Sequence, residues 1–154
     1  MATYFFDSSG LVKRFAPEIG SGFVLSLMRP SAKNRLYAAR ITEVEVSAAL
    51  MRRQKGRTIS ASQANKALKR LKRDFPNRFT HIAVSENVII EALRLTELYA
   101  LRGYDAVQLA SALEANRERL ALGLTPLILV SADNELNLAA QQEGLTCENP
   151  NNYP

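Results

Sequence analysis

Leu127-Ile128-Leu129-Val130-Ser131-Ala132-Asp133 is the stretch that decides the fold. Four apolar residues run without a polar break, as a strand buried on both faces of a parallel sheet requires. The run ends in a hydroxyl and an acid. A helical period follows from about Asn134 to Glu143 and stops at Gly144. Outward from there, Tyr4-Phe5-Phe6, Leu36-Tyr37-Ala38-Ala39 and His81-Ile82-Ala83-Val84 read as shorter strands, and another is expected around Thr146-Cys147. Helical segments separate them. Strands alternating with helices predict an α/β fold, a three-layer α/β/α sandwich with a mostly parallel central sheet, forming a single domain over residues 1–154.

The helices carry their own punctuation. Thr42 and Glu45 read as a capping box at the start of one, and Ser60 and Gln63 as the box of the next, which Pro76 should close. Ser85 to Ala100 is helical by period, with Val88, Ile89, Ala92, Leu95 and Tyr99 inward. A further helix opens at Asp105 and buries Ala106, Leu109, Ala110 and Leu113.

Composition narrows the class. With 47% hydrophobic and 23% charged residues in 154, the chain has ordinary globular composition. Cys147 is the sole cysteine, which rules out an intrachain disulfide and a thiolate metal cluster. Tyr4-Phe5-Phe6 is too short for a signal segment, and no run approaches the ~20 apolar residues of a membrane helix. The expectation is a soluble cytoplasmic protein without a membrane span.

Four acids fall where chemistry gathers in open α/β sheets, outside the carboxyl ends of the strands. Asp7 ends the first strand, Glu43 lies in the first turn of the helix after the second, Asp105 opens a later helix, and Asp133 follows the longest apolar run. Each alone could be a cap, a turn former or a charge at the positive end of a helix. Together they suggest convergence, and converging carboxylates repel unless a cation sits among them. Oxygen ligands with neither Cys nor a suitable His favour Mg²⁺ or Mn²⁺ over zinc. Such ions activate water and stabilise phosphodiester cleavage. His81 is the only histidine, in a strand-like segment, which argues against general acid–base catalysis by histidine.

The formal net charge is +5, and half the basic residues are concentrated: Arg52 to Arg78 holds ten of the twenty Lys and Arg and a single acid, Asp74. Lys66, Lys69, Arg70 and Arg73 recur at helical spacing. They form either a solvated face or a wall that binds nucleic-acid phosphates.

The segments Tyr4 to Ser9, Ile41 to Glu45, Tyr104 to Ala112 and Leu129 to Asp133 resemble, in order and spacing, PIN domains and in particular the VapC-type toxins of prokaryotic toxin–antitoxin pairs. The resemblance runs over nearly the whole chain. It implies an acidic cleft that holds Mg²⁺ or Mn²⁺ and cleaves RNA, with Asp7, Glu43, Asp105 and Asp133 as catalytic and metal-binding residues and Ser131 in support. It also implies an antitoxin partner, bound along the same two helices that carry the basic stretch, and a homodimer. Asn134 departs from the family, many of whose members carry a charged residue there. Against this endoribonuclease reading stands a non-catalytic RNA- or protein-binding module on the same fold. A phospho-accepting receiver fits poorly, since Ser8-Ser9 rather than acids follow Asp7, and an Asp-x-Asp phosphatase fails because position 9 is Ser.

Overall fold

The computed structural model describes all 154 residues. Its sheet comprises β1 (Thr3–Phe6), β2 (Arg35–Ala39), β3 (Thr80–Ile82), β4 (Ile128–Val130) and β5 (Thr146–Glu148). The spatial order is β3-β2-β1-β4-β5, and every neighbouring pair is parallel. Around it lie α1 (Ser8–Leu11), α2 (Ser21–Leu27), α3 (Thr42–Lys55), α4 (Ala61–Arg78), α5 (Glu86–Tyr99), α6 (Gly103–Ala121) and α7 (Asn134–Gln142). None of these helices is long and apolar enough to cross a membrane.

Alternation along the central strands builds the three layers. Successive side chains of a strand point to opposite faces. Phe5 and Leu129 therefore join one core, with Leu95 of α5, Leu109 of α6 and Leu136 of α7. Phe6 and Val130 join the other, with Leu11 of α1, Val24 of α2, Leu50 of α3 and Leu71 of α4. Both faces of β1 and β4 are thus covered, which is why these strands read as unbroken apolar runs. The chain winds outward from β1 through β2 to β3, then returns to place β4 on the other side of β1. The strand order reverses between β1 and β4, and a crevice opens there at their carboxyl ends.

Three sequence expectations are corrected. Thr42 and Glu45 do not form a capping box: Ile41 is the N-cap of α3 and supplies no side-chain cap, while Thr42 is wholly buried inside the helix. Pro76 does not close its helix, because α4 continues to Arg78. So near the end, the missing N–H removes a single ladder bond, and the Asn77 side chain donates to the Arg73 carbonyl at 2.6 Å. Ile89 faces solvent, whereas Val88, Ala92 and Leu95 are buried as expected. The Ser60–Gln63 capping box is present.

The C-terminal segment docks on the N-terminal one. Lys13 is 5% exposed, and its Nζ donates to Glu18 Oε1, the Ile19 carbonyl and Asn151 Oδ1 at 2.8 to 3.0 Å. Tyr153 stacks on Phe23 with ring centroids 3.9 Å apart.

One glycine fixes how closely α1 approaches the sheet. A Cβ at Gly10 would lie 2.4 Å from the Val130 carbonyl oxygen, which no side chain tolerates. Gly10→Ala should therefore push α1 off the end of β4 and cost about 1–3 kcal/mol in urea unfolding, the range of an overpacked core. An unchanged midpoint would show that α1 adjusts freely.

Candidate active site

Asp7 sits at the bottom of the crevice, 2% exposed. Its own N–H donates to the Val130 carbonyl, which ties the end of β1 to the end of β4. As N-cap of α1 its Oδ1 accepts from the Gly10 N–H at 2.7 Å. The Ser9 hydroxyl donates to the carboxylate at 2.8 Å, and the Ser131 hydroxyl does so at 2.8 Å from the end of β4. Ser9 Oγ also accepts from the Ala132 N–H, and Ser131 Oγ from the Asp133 N–H. Ser131 thus joins Asp7 to the turn that carries Asp133. Burial pushes the Asp7 carboxyl up to about 7 even against these three donors, and the charge of Asp105 adds to the rise.

The acid that α3 sends into the crevice is Glu45, not Glu43. Glu45 Oε2 accepts from the Ser8 hydroxyl at 3.1 Å, and Oε1 from the Gln108 side-chain amide at 2.6 Å. Gln108, 1% exposed, also pairs with the buried Thr42 hydroxyl. Glu43 instead pairs with Arg40 at 2.7 Å and lines a surface groove with Leu68, Leu71 and Lys72. Helical geometry explains the exchange. Residues two apart lie on opposite sides of a helix, whereas residues three apart share a face. Thr42 and Glu45 are three apart, and both meet Gln108. The resemblance of Thr42 and Glu45 to a capping box masks this role in the sequence; the Thr-x-x-Glu spacing facing a buried Gln was the available signal.

Asp105, in the first turn of α6, is half-buried and shares a cavity wall with Glu45 and Arg102. Burial raises its carboxyl, Asp133 raises it further, and Arg102 pulls it partly back. Burial likewise raises Glu45, offset by the bonds from Gln108 and Ser8, with Asp105 again adding to the rise and Arg52 opposing it. Asp133 is the N-cap of α7 and accepts from the Leu136 N–H at 3.0 Å. Asp7, Glu45 and Asp133 are therefore all coupled to Asp105. No three of them stand close enough together to make a ready ligand set in this conformation.

Lys66, Lys69, Arg70 and Arg73 are exposed on α4, and Arg73 pairs with Asp74. None of the four lines the cavities at the acidic rim; Arg52 and Arg102 do, and the sequence pattern did not single them out. His81 is absorbed by packing, stacked on Phe75 with its Nε2 2.8 Å from the Phe75 carbonyl.

The architecture is PIN-like, as the sequence resemblance implies. No protein-family model and no curated protein sequence matches the chain. Solved structures do. PAE2754 from Pyrobaculum aerophilum aligns over 95% of this chain and 83% of its own at 20% identity, with a TM-score of 0.64. A toxin–antitoxin complex from Klebsiella pneumoniae contains a chain that is 19% identical, with a TM-score of 0.61 and 96% and 97% covered. VapBC2 from Rickettsia felis, bound to a promoter DNA fragment, gives 16% identity and 0.60 over 96% and 98%. At such identities the likeness defines the fold, and the chemistry has to be argued from the residues.

The pH dependence of the Asp7 carboxyl follows from its surroundings. A carboxyl raised from 3.8 to about 7 is protonated in the folded protein and ionised in the unfolded chain between those values. The folded state binds the extra proton, so the contribution of Asp7 to stability falls as pH rises from about 4 to 7 and stays lost above. In EDTA, Asp7→Asn should raise Tm relative to the parent at pH 8, with the gain gone at pH 4. Parallel Tm curves would show that the carboxylate is not penalised.

Proposed function

We propose that this chain is a divalent-cation-dependent endoribonuclease of the VapC type, acting in the cytoplasm as the toxin of a toxin–antitoxin pair. The observation that carries the reading is the set of carboxyls at the strand switch point, Asp7 buried and Glu45 and Asp105 half-buried, each made harder to ionise by desolvation and by its acidic neighbours. A structural role needs no such arrangement, and Arg52 and Arg102 only partly offset it. The donor set is all oxygen, which fits a hard cation, although the carboxylates have to draw together to coordinate one.

In this reading Asp7, Glu45, Asp105 and Asp133 hold Mg²⁺ or Mn²⁺. When bound, the ion supplies an acidified water and charge stabilisation at the phosphodiester. The protein does the rest. Ser9, Ser131 and the Gly10 N–H fix the Asp7 carboxylate, and Gln108 and Ser8 aim Glu45. Arg52 and Arg102 supply positive charge at the rim for the RNA backbone, and the α4 face of Lys66, Lys69, Arg70 and Arg73 attracts the polyanion from further away. The toxin assignment rests on fold likeness to the Klebsiella and Rickettsia complexes. It brings with it an antitoxin partner and a homodimer, for which the exposed Ile89, Ile90 and Leu93 of α5 offer an apolar face.

Cleavage of single-stranded RNA should require Mg²⁺ or Mn²⁺. It should fall at least about a hundredfold in Asp7→Asn, Glu45→Gln and Asp105→Asn, the scale of losing a group that stabilises transition-state charge. Glu43→Gln should cleave at close to the parental rate, and in calorimetry Mn²⁺ should bind saturably to the parent and to Glu43→Gln, and much more weakly to the other three variants. Equal Mn²⁺ heats in all variants would leave a non-catalytic binding module, the reading favoured by the absence of a preformed ligand set. Replacing Lys66, Lys69, Arg70 and Arg73 together with Gln should weaken RNA binding and flatten its log–log salt slope by roughly 0.7 for each phosphate no longer neutralised. A slope identical to the parent's would assign these residues to solvation.

A further inference from the structure

Beside the acids lies a cavity of about 430 Å³ of a different character. Six of its ten lining residues are apolar, among them Val12, Ile41, Val44, Ala48 and Tyr104, and Arg52 lines it as well. It is separated from the Asp105 cavity by Glu45 and Tyr104, which line both. Two of its apolar side chains stand out into solvent beside the acids: Tyr104 is 63% exposed and Val44 64% exposed. The Arg52 guanidinium makes no salt bridge, whereas its neighbour Arg53 pairs with Glu18 and Arg40 pairs with Glu43.

We propose that this cavity is a nucleobase subsite, taking one unpaired base of single-stranded RNA against Tyr104 while Arg52 meets the adjoining phosphate. The proposal rests on the ribonuclease reading above and adds to it where the neighbouring nucleotide goes. A strand whose phosphodiester lies over Asp105 and Glu45 passes directly across Tyr104, because that residue belongs to both cavities. The volume is that of a small-ligand pocket. Its walls offer an apolar enclosure and one exposed aromatic ring, which suits the face of any base, and one cation, which suits the backbone beside it. A base paired in a duplex is not free to enter, so the subsite selects single strands, loops and ends. An apolar protein segment would offer the Arg52 guanidinium no acceptor, leaving it only the field of Glu45, whereas an RNA phosphate offers a direct one.

The test uses the full chain in the Asp7→Asn background, with Mg²⁺, and a set of labelled single-stranded decaribonucleotides in which one abasic nucleotide is moved along the strand. Binding of the intact strand should weaken about tenfold or more in Tyr104→Ala and by less than about twofold in Tyr104→Phe, since the ring and not the hydroxyl carries the stacking. One abasic position should cost the Asp7→Asn protein a similar factor and cost the Tyr104→Ala protein nothing further, the non-additivity that marks a direct contact. Tyr104 is exposed, so loss of folding does not confound the result. RNA bound equally by both proteins, or an abasic profile indifferent to Tyr104, overturns the subsite while leaving the nuclease intact, and gives the groove to a protein partner. Absence of RNA binding by the Asp7→Asn protein, together with absence of cleavage by the parent, overturns the ribonuclease reading itself.

Discussion

The burial of one carboxylate organises this molecule. Asp7 is placed by the end of β1, satisfied by α1 and tied by Ser131 to the end of β4. An acid in that position is costly to bury, and three donors reduce the cost without removing it. What remains is a carboxyl held high, close to a second acid on α6. Gly10 is part of the same arrangement, since only a residue without Cβ lets α1 come close enough to the Val130 carbonyl to present its N–H to Asp7. The strand switch point, the small residues of α1 and the serine after β4 are therefore a single device seen from three elements.

Much of this was legible in the sequence, for a simple reason. Strands covered on both faces have no polar side to hide their pattern, so Tyr4-Phe5-Phe6 and Leu127 to Val130 stand out, and the acids that end them are marked by position alone. Asp7, Asp105 and Asp133 lie on the rim where strand-end logic puts them. Glu43 and Glu45 show where that logic stops. Both lie in the first turn of α3, and the choice between them depends on the rotation of the helix about its axis. That rotation is set by burial of Thr42 and Val46 against the rest of the fold. A local motif, the apparent capping box, competed with a tertiary contact, the Gln108 amide, and lost. Basic residues were legible as a stripe on α4, but charge density marks a helix face and not its distance from a cleft. Arg52, at the head of the basic stretch, and Arg102, outside it, line the cavities because of helix placement, which charge density does not reveal.

The two faces of the crevice divide the work. The acids come from elements on both sides of the sheet: Glu45 from the layer of α1 to α4, Asp105 from the layer of α5 to α7, with Asp7 in the sheet between them. Gln108 on α6 bonds both Glu45 and Thr42 on α3, a direct link between the layers at this level. The spacing of the acids is thereby coupled to the packing of two separate cores rather than to the conformation of one loop.

The Lys13 contacts extend that coupling to the far end of the chain. Its ammonium is buried with three acceptors, one of them furnished by Asn151, and the turn it anchors follows directly on α1. Removing the Asn151 oxygen would leave a shielded cation one bond short, so the turn at Pro150–Asn152 is tied to the one that follows α1. Fraying of the carboxyl end would strip an acceptor from a shielded amine in the turn next to the helix that caps Asp7, so opening one end of the polypeptide would cost the other a bond.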